Sequence, residues 1–248
     1  MADVSWIAIG RHAGAFQAFA FDGGDVTARA SRATEADAIS ALDAETDTII
    51  HIGEGPPDAV PSALLPSGGQ NLPAITQDQP PGVLGGWPRL WIAGYLAGHD
   101  NWDGVICVAE GDVTHWVHVS ANEVVSFASF LTLRLIRVLS GGDTPDPQAV
   151  ADSLSRPERL AAHLREAEVT GRPATTTGHL LGAELAAARV YWLGQQLALI
   201  GPKAALSPHA SALTLQEVPF VAHTPDELIR DGLLALAQNL GMVSQGSA

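Results

Sequence analysis

The chain has 248 residues, 46% of them hydrophobic and 16% charged, and a formal net charge of −14. This composition supports a sizeable core and excludes a disordered chain. The acidity and the single lysine, Lys203, leave no electrostatic footprint for nucleic acid or an anionic membrane.

An anionic ligand would have to be held by backbone N–H groups, helix N-termini and some of the 12 arginines. Cys107 is the only cysteine, so an internal disulfide is ruled out; in Val105-Ile106-Cys107-Val108 it reads as a small buried hydrophobe. Met1–Val4 lack a basic leader, and no apolar run approaches the roughly 18 residues of a membrane span. The expectation is a cytoplasmic protein.

Val4–Ile9 reads as a buried strand, followed by the glycine-bounded loop Gly10-Arg11-His12-Ala13-Gly14. Phe19 and Phe21 alternate with alanines in a second strand, Asp22–Asp25 form a hairpin turn, and Val26–Ala30 make a third strand. Thr34 caps a helix reaching about Asp43, and Thr48–Ile52 is another buried strand. The prolines of residues 56–82 exclude a regular helix there. Leu84–Gly98 place Trp87, Leu90, Trp91, Gly94 and Tyr95 at helical spacing.

The second half opens at Gly104–Val108 with a strand, a tight turn at Glu110-Gly111-Asp112, and an alternating strand, Val113–Val119. Asn122–Ser126 continue the sheet. Phe127–Leu139 read as an amphipathic helix with Phe127, Phe130, Leu131, Leu135 and Val138 on one buried face. Two short helices follow, Pro147–Leu154 and Pro157–Glu168, then a long helix over Thr175–Leu199. Gly201-Pro202-Lys203 break it, and a helix to Leu213, a strand at Leu215–Val221 and a helix ending at Gly241 complete the chain. Strand, tight turn, strand and helix thus open both halves, residues 1–98 and 99–248. Two such halves closing on a cleft are the plan of an actin-like (ribonuclease H-like) α/β phosphotransferase with mixed sheets.

Several motifs are missing. No Gly-x-x-x-x-Gly-Lys-Ser/Thr, Gly-x-Gly-x-x-Gly or Gly-x-Ser-x-Gly occurs at a usable place. His115 and His118 point to opposite faces of one strand and cannot share a metal.

The chain resembles 2-dehydro-3-deoxygalactonokinases, sugar-acid kinases of the actin-like ATPase superfamily. The resemblance rests on Trp6–Ile9 with Phe16 and Ala18, on Leu72–Ile75 with Gly86 and Gly94, and on Gly111 with Trp116-Val117. It continues in Phe127, Leu131, Thr132 and Leu139, in Leu180-Leu181-Gly182-Ala183-Glu184-Leu185 with Arg189, and in Ile200-Gly201 with Leu206 and Leu213. Asp226 and Gly232-Leu233 close it. It implies ATP-dependent phosphorylation of 2-dehydro-3-deoxy-D-galactonate with Mg²⁺.

The phosphate-binding positions it implies are Gly10, Arg11, Gly14, Gly111, Asp112, Thr114, Gly201 and Lys203, with Asp112 toward the metal and Arg134 toward the acid substrate. Its partners would be a sugar acid and a nucleotide, and a second copy or a partner kinase. The family pattern is not kept throughout. Its first loop, Asp-Trp-Gly-Thr-Thr, corresponds to Gly10–Gly14, its paired glutamates to Trp87 and Pro88, and its second-turn Thr-His to Asp112 and Val113. The lysine of that turn corresponds to His115, and the Gly-Glu of the next helix to Leu133-Arg134. A catalytically inactive paralogue that binds a sugar acid or nucleotide, or regulates a partner kinase, is the alternative reading. Bland roles stay open beside these: a solvated hairpin at Gly10–Gly14, a turn carboxylate at Asp112, a helix break at Gly201–Lys203, and pairing of Arg134 and Arg137 with carboxylates.

Overall fold

The computed structural model describes residues 5–243. Val4, where the first strand was expected to begin, lies outside them. The described residues divide into two compact units: one holds the chain up to Trp102, Asn122–Val124 and the residues from Asp226 on, the other Asp103–Ala121 and Val125–Pro225.

The first unit is built on β1 (Trp6–His12), whose residues Trp6–Ile9 and Gly10 are buried. It pairs antiparallel with β2 (Ala15–Asp22), which pairs antiparallel with β3 (Asp25–Arg32). Trp6 stacks on Phe21 with ring centroids 3.9 Å apart, and burying such a side chain contributes about 1.5–3 kcal/mol. The helix α1 (Glu35–Ser40) starts at Thr34, whose hydroxyl accepts from the Asp37 N–H at 3.2 Å. Then β4 (Ile49–Ile52) joins β1 in parallel, and Ala38 and Leu42 pack with Ile7 and Ile9.

The proline-rich stretch contains no helix, as expected, but it is not irregular. It forms β5 (Asp58–Ala59), β6 (Ser62–Ala63), β7 (Asn71–Leu72), β8 (Ile75–Asp78) and β9 (Pro81–Leu84). Of these, β7 extends the main sheet beside β4, giving the order β3-β2-β1-β4-β7, while β5, β8 and β9 make a small sheet of their own. The following helix, α2 (Gly86–Leu96), is buried along its whole length. Its Arg89 guanidinium donates to the carbonyls of Ala63, Leu64 and Pro73 and to Asp58, at 2.6–2.9 Å. One side chain thereby satisfies the backbone of an extended segment that has few ladder partners. The C-terminal helix Pro225–Asn239 crosses α2 at two glycines. A Cβ on Gly94 would sit 2.9 Å from the Leu228 carbonyl carbon, and one on Gly232 would lie 3.2 Å from the Gly94 nitrogen.

The second unit repeats the plan. β10 (Gly104–Glu110) is central, antiparallel to β11 (Val113–Ser120) and parallel to β13 (Leu197–Ile200). β12 (Glu123–Phe130) lies beside β11, and β14 (Val221–His223) runs parallel to β13. The two-residue β6 pairs antiparallel with the start of β12; apart from it, the order β12-β11-β10-β13-β14 matches that of the first unit. Two sheets of one strand order, each with an antiparallel meander on one side and parallel strands on the other, are the actin-like (ribonuclease H-like) architecture that the order of elements led us to expect. The helices are α3 (Thr132–Val138), α4 (Pro147–Ser155), α5 (Leu160–Thr170), α6 (Pro173–Ala187), α7 (Arg189–Trp192) and α8 (Lys203–Leu215); the helix Pro225–Asn239 is α9. Trp116, Cys107, Leu181, Leu185, Leu199 and Leu213 form the centre of the core.

Three expectations are corrected. Phe127–Phe130 belong to β12, because the meander of β10 and β11 extends into a third strand, and the helix that follows has only seven residues. Its Leu131, Leu135 and Val138 are exposed rather than buried. The long helix over Thr175–Leu199 ends at Ala187, and Leu197–Ile200 is the buried parallel strand β13. Helix α8 runs on to Leu215, and the last strand lies at Val221–His223. No helix among the described residues is long and apolar enough to cross a membrane.

Candidate functional site

Each unit carries a tight turn between its first two strands, and the candidate residues sit at these turns. In the first, the ladder runs out to His12 opposite Ala15, so only Ala13 and Gly14 form the loop. Their φ values of 49° and 85° are both left-handed, the conformation of a two-residue hairpin. Gly10 lies within β1, opposite Gln17 on one side and Ile52 on the other. A Cβ there would lie 2.8 Å from the Ile52 Cβ and closer still to the Ile52 carbonyl oxygen. The strands β1 and β4 have closed over the position, and no side chain fits.

Arg11 is exposed, and its carbonyl accepts a 3.0 Å hydrogen bond from the Trp87 indole N–H. The His12 ring packs between Trp87 and Trp91, with centroids 5.6 and 5.3 Å away. Burial holds its pKa below the usual histidine value, so the imidazole stays neutral and offers no cation to a phosphate. Trp87 and Pro88, at the start of α2, put an indole and a ring where the resembled family has two carboxylates. Gly86 is fixed there by packing, since a Cβ would lie 2.8 Å from the Leu72 carbonyl oxygen.

The second turn is Gly111–Asp112, with Gly111 at φ 57°. Asp112 is engaged. Arg137 of α3 donates to both of its carboxylate oxygens, and the Arg134 Nε stands 3.7 Å from Oδ2. The Arg134 N–H also donates to the Asp112 carbonyl at 3.2 Å. The hydrogen bond from Arg137 holds the Asp112 carboxyl below the ordinary range. Of the roles left open for the two arginines, the structure contains the pairing with a carboxylate. His115 is buried, and desolvation pulls its pKa down to about 4. Its Nδ1 lies 2.8 Å from the Ser129 Oγ, and its Nε2 lies 3.9 Å from Glu110. A neutral ring therefore stands at the position of the family's lysine. Burial also pushes the Glu110 carboxyl up to about 7.

Thr114 faces inward. Its hydroxyl donates to Glu184 Oε1 at 2.9 Å, and the Trp116 indole N–H and His209 Nε2 reach the same oxygen at 2.8 and 3.0 Å. This hub joins β11, α6 and α8 in a fully buried place. Burial alone would raise the Glu184 carboxyl, but the facing His209 and the donated hydrogen bonds outweigh it and hold the group below its ordinary value. The hub was not singled out from sequence, although a lone carboxylate amid Leu180, Leu181 and Leu185 on a buried helix is a signal of a satisfied internal charge. At the third candidate place, Gly201 is buried against β10, where a Cβ would lie 2.8 Å from the Ala109 Cβ. Lys203 opens α8 and is exposed.

A divalent cation does not suit these turns. Position 10 can carry no carboxylate, and Asp112 already faces two guanidinium groups. Among the described residues, no three His, Cys, Asp or Glu side chains are grouped to hold a metal ion.

The family model for 2-keto-3-deoxy-galactonokinase matches residues 148–236, which span α4 to α9. A protein of Sinorhizobium meliloti, named provisionally as a 2-dehydro-3-deoxygalactonokinase, superposes with a TM-score of 0.79 at 20% identity, covering 94% of this chain and 98% of its own. An activator of the 2-hydroxyisocaproyl-CoA dehydratase from Clostridium difficile, with bound ADPNP, has a TM-score of 0.49 at 10% identity over 98% of this chain and 99% of its own. No curated protein matches. Residues 148–236 thus match the 2-keto-3-deoxy-galactonokinase family model, and nearly the whole chain shares the fold of the Sinorhizobium meliloti protein.

Proposed function

We propose that this protein is a non-catalytic member of its sugar-acid kinase family: it retains the fold, binds an anionic sugar acid or nucleotide, and does not transfer phosphate. The observation that carries this reading is the closure of β4 on Gly10, which leaves no room for a metal-organising carboxylate. Phosphoryl transfer depends on positioning and on charge that neutralises the phosphate oxygens. Three substitutions act against that requirement. A neutral His12 lies against indoles, a neutral His115 stands in place of a lysine, and Asp112 is matched to Arg137. As phosphate-binding positions we assign the turn at Gly14 with Arg11 in the first unit and, in the second, the turns at Gly111 and Gly201 with Thr114, Arg134 and Lys203, each unit taken by itself. Of these, Thr114 acts by holding its strand, and Arg11, Arg134 and Lys203 supply charge. The protein would act through its bound state, on a partner kinase for instance.

The second reading is an active kinase that phosphorylates 2-dehydro-3-deoxy-D-galactonate with ATP and Mg²⁺. The family match over residues 148–236 favours it. Titration calorimetry with MgATP and with the sugar acid, beside a coupled phosphorylation assay, separates the two. The first reading expects heat on binding at least one ligand and no product. Product formation that Asp112→Ala abolishes would establish a rewired kinase and overturn the first reading.

A further inference from the structure

Three threonines in a row open α6, and they are not alike. Thr175 donates to the Asp146 carboxylate at 2.9 Å and Thr177 to the Gly142 carbonyl at 2.7 Å. Thr176 between them is 6% exposed, and its hydroxyl has no hydrogen-bond partner among the described residues. A hydroxyl so deep is unfavourable unless solvent or a ligand reaches it. This one lines a groove of about 720 Å³, walled by the end of α3, by α5 and by the start of α6. Val138, Leu139, Leu164 and Ala167 give the groove an aliphatic side, and the hydroxyl of Ser140 joins that of Thr176 on its polar side.

Three charged side chains line the groove: Arg165, Glu168 and Arg172. Arg165 donates to Glu168 at 2.5 Å, so those two charges match each other. Arg172 meets no carboxylate among the described residues. A chain with a net charge of −14 therefore keeps one unmatched cation in this groove. A guanidinium fork fits the two oxygens of a carboxylate, and hydroxyls add donors beside it. One cation calls for one negative charge, which a phosphate dianion exceeds. The aliphatic wall calls for an apolar body, since the hydroxyls of a sugar would lose their partners there. None of the lining residues belongs to the turns at Gly14, Gly111 or Gly201.

We propose that the groove between α5 and α6 binds a small aliphatic monocarboxylate, with Arg172, Thr176 and Ser140 on its head group and Val138, Leu139 and Leu164 along its chain. This rests on the unpartnered Thr176 hydroxyl, the unmatched Arg172 and the aliphatic wall, and is independent of whether the protein transfers phosphate. Titration calorimetry of the full chain with octanoate tests it, beside acetate, which lacks the chain, and octylamine, which reverses the charge. The expected result is saturable binding of octanoate, with acetate and octylamine each weaker by about tenfold or more. Arg172→Gln, at an exposed position, should weaken octanoate by about tenfold or more, and Thr176→Val, which keeps the shape and removes the hydroxyl, by about fivefold. Circular dichroism reports whether each variant keeps its fold, and Arg172→Gln alone decides the matter if Thr176→Val does not. Absence of saturable heat up to about 10 mM octanoate overturns the proposal. So does octanoate binding that Arg172→Gln leaves unchanged, or octylamine binding as tightly as octanoate.

Discussion

Gly10 decides more than its size suggests. A strand residue whose absent Cβ would meet Ile52 can be enlarged only by pushing β4 aside. Overpacking of a close-packed site costs about 1–3 kcal/mol. Gly10→Asp is therefore expected to lower stability in urea unfolding by at least that amount and to gain no kinase activity. A stable variant that phosphorylates the sugar acid would contradict the non-catalytic reading. Glu110 gives a test with a definite pH sign. Its carboxyl titrates near 7 in the folded chain against about 4.3 when unfolded. The folded state disfavours the ionised form, so this residue is harmless at low pH and costs stability as pH rises through that interval. Glu110→Gln should raise the melting temperature at about pH 8, by the equivalent of about 1–2 kcal/mol allowing for partial exposure, and leave it nearly unchanged at about pH 4. A gain of equal size at both pH values would mean that burial is not what shifts the group. Of the residue-scale site, the glycines, Asp112 and Arg134 were legible as turn and charge positions. The partner of Asp112 was not assigned, because Arg137 lies 25 residues away and only the packing of α3 against the turn brings them together.

At the scale of elements, the sequence was clearest where local chemistry and tertiary packing agree. The capped α1, the buried α2 and the Pro225 start of α9 all formed where propensity put them, whereas the loop expected over Gly10–Gly14 shrank to Ala13–Gly14, because the ladder of β1 and β2 runs on to His12 and Ala15. It was least clear where packing overrides propensity. Leu197–Ile200 consists of good helix formers, and a strand buried on both faces shows no two-residue alternation. The short strands after β4 were invisible because ladders of two to four residues leave no periodicity, and the carbonyls of Ala63, Leu64 and Pro73 are held by Arg89, far along the chain. That guanidinium is fully buried and holds three carbonyls and Asp58. Removing a buried charged hub costs about 3–5 kcal/mol. Arg89→Met is expected to show that loss in denaturant unfolding, and amide exchange across residues 58–73 should speed up before the rest of the first unit opens. Uniform acceleration through the whole unit would argue that Arg89 supports the core rather than this segment.

Across the whole molecule, the duplicated strand order explains how the fold outlasts changes at its turns. The cores of both units are assembled from the strands' buried faces and from helix contacts such as Gly94 with Gly232, and none of that depends on what the two turns carry. Fold class could accordingly be read from the order of elements, whereas the state of the turns needed coordinates, since closure of one strand on another leaves no mark in composition. That closure also bears on repair. A single substitution that restores an acidic side chain at position 10 meets Ile52 and is penalised at once. Under the non-catalytic reading, a carboxylate at position 10 therefore needs a change at Ile52 as well, and no single substitution reaches it.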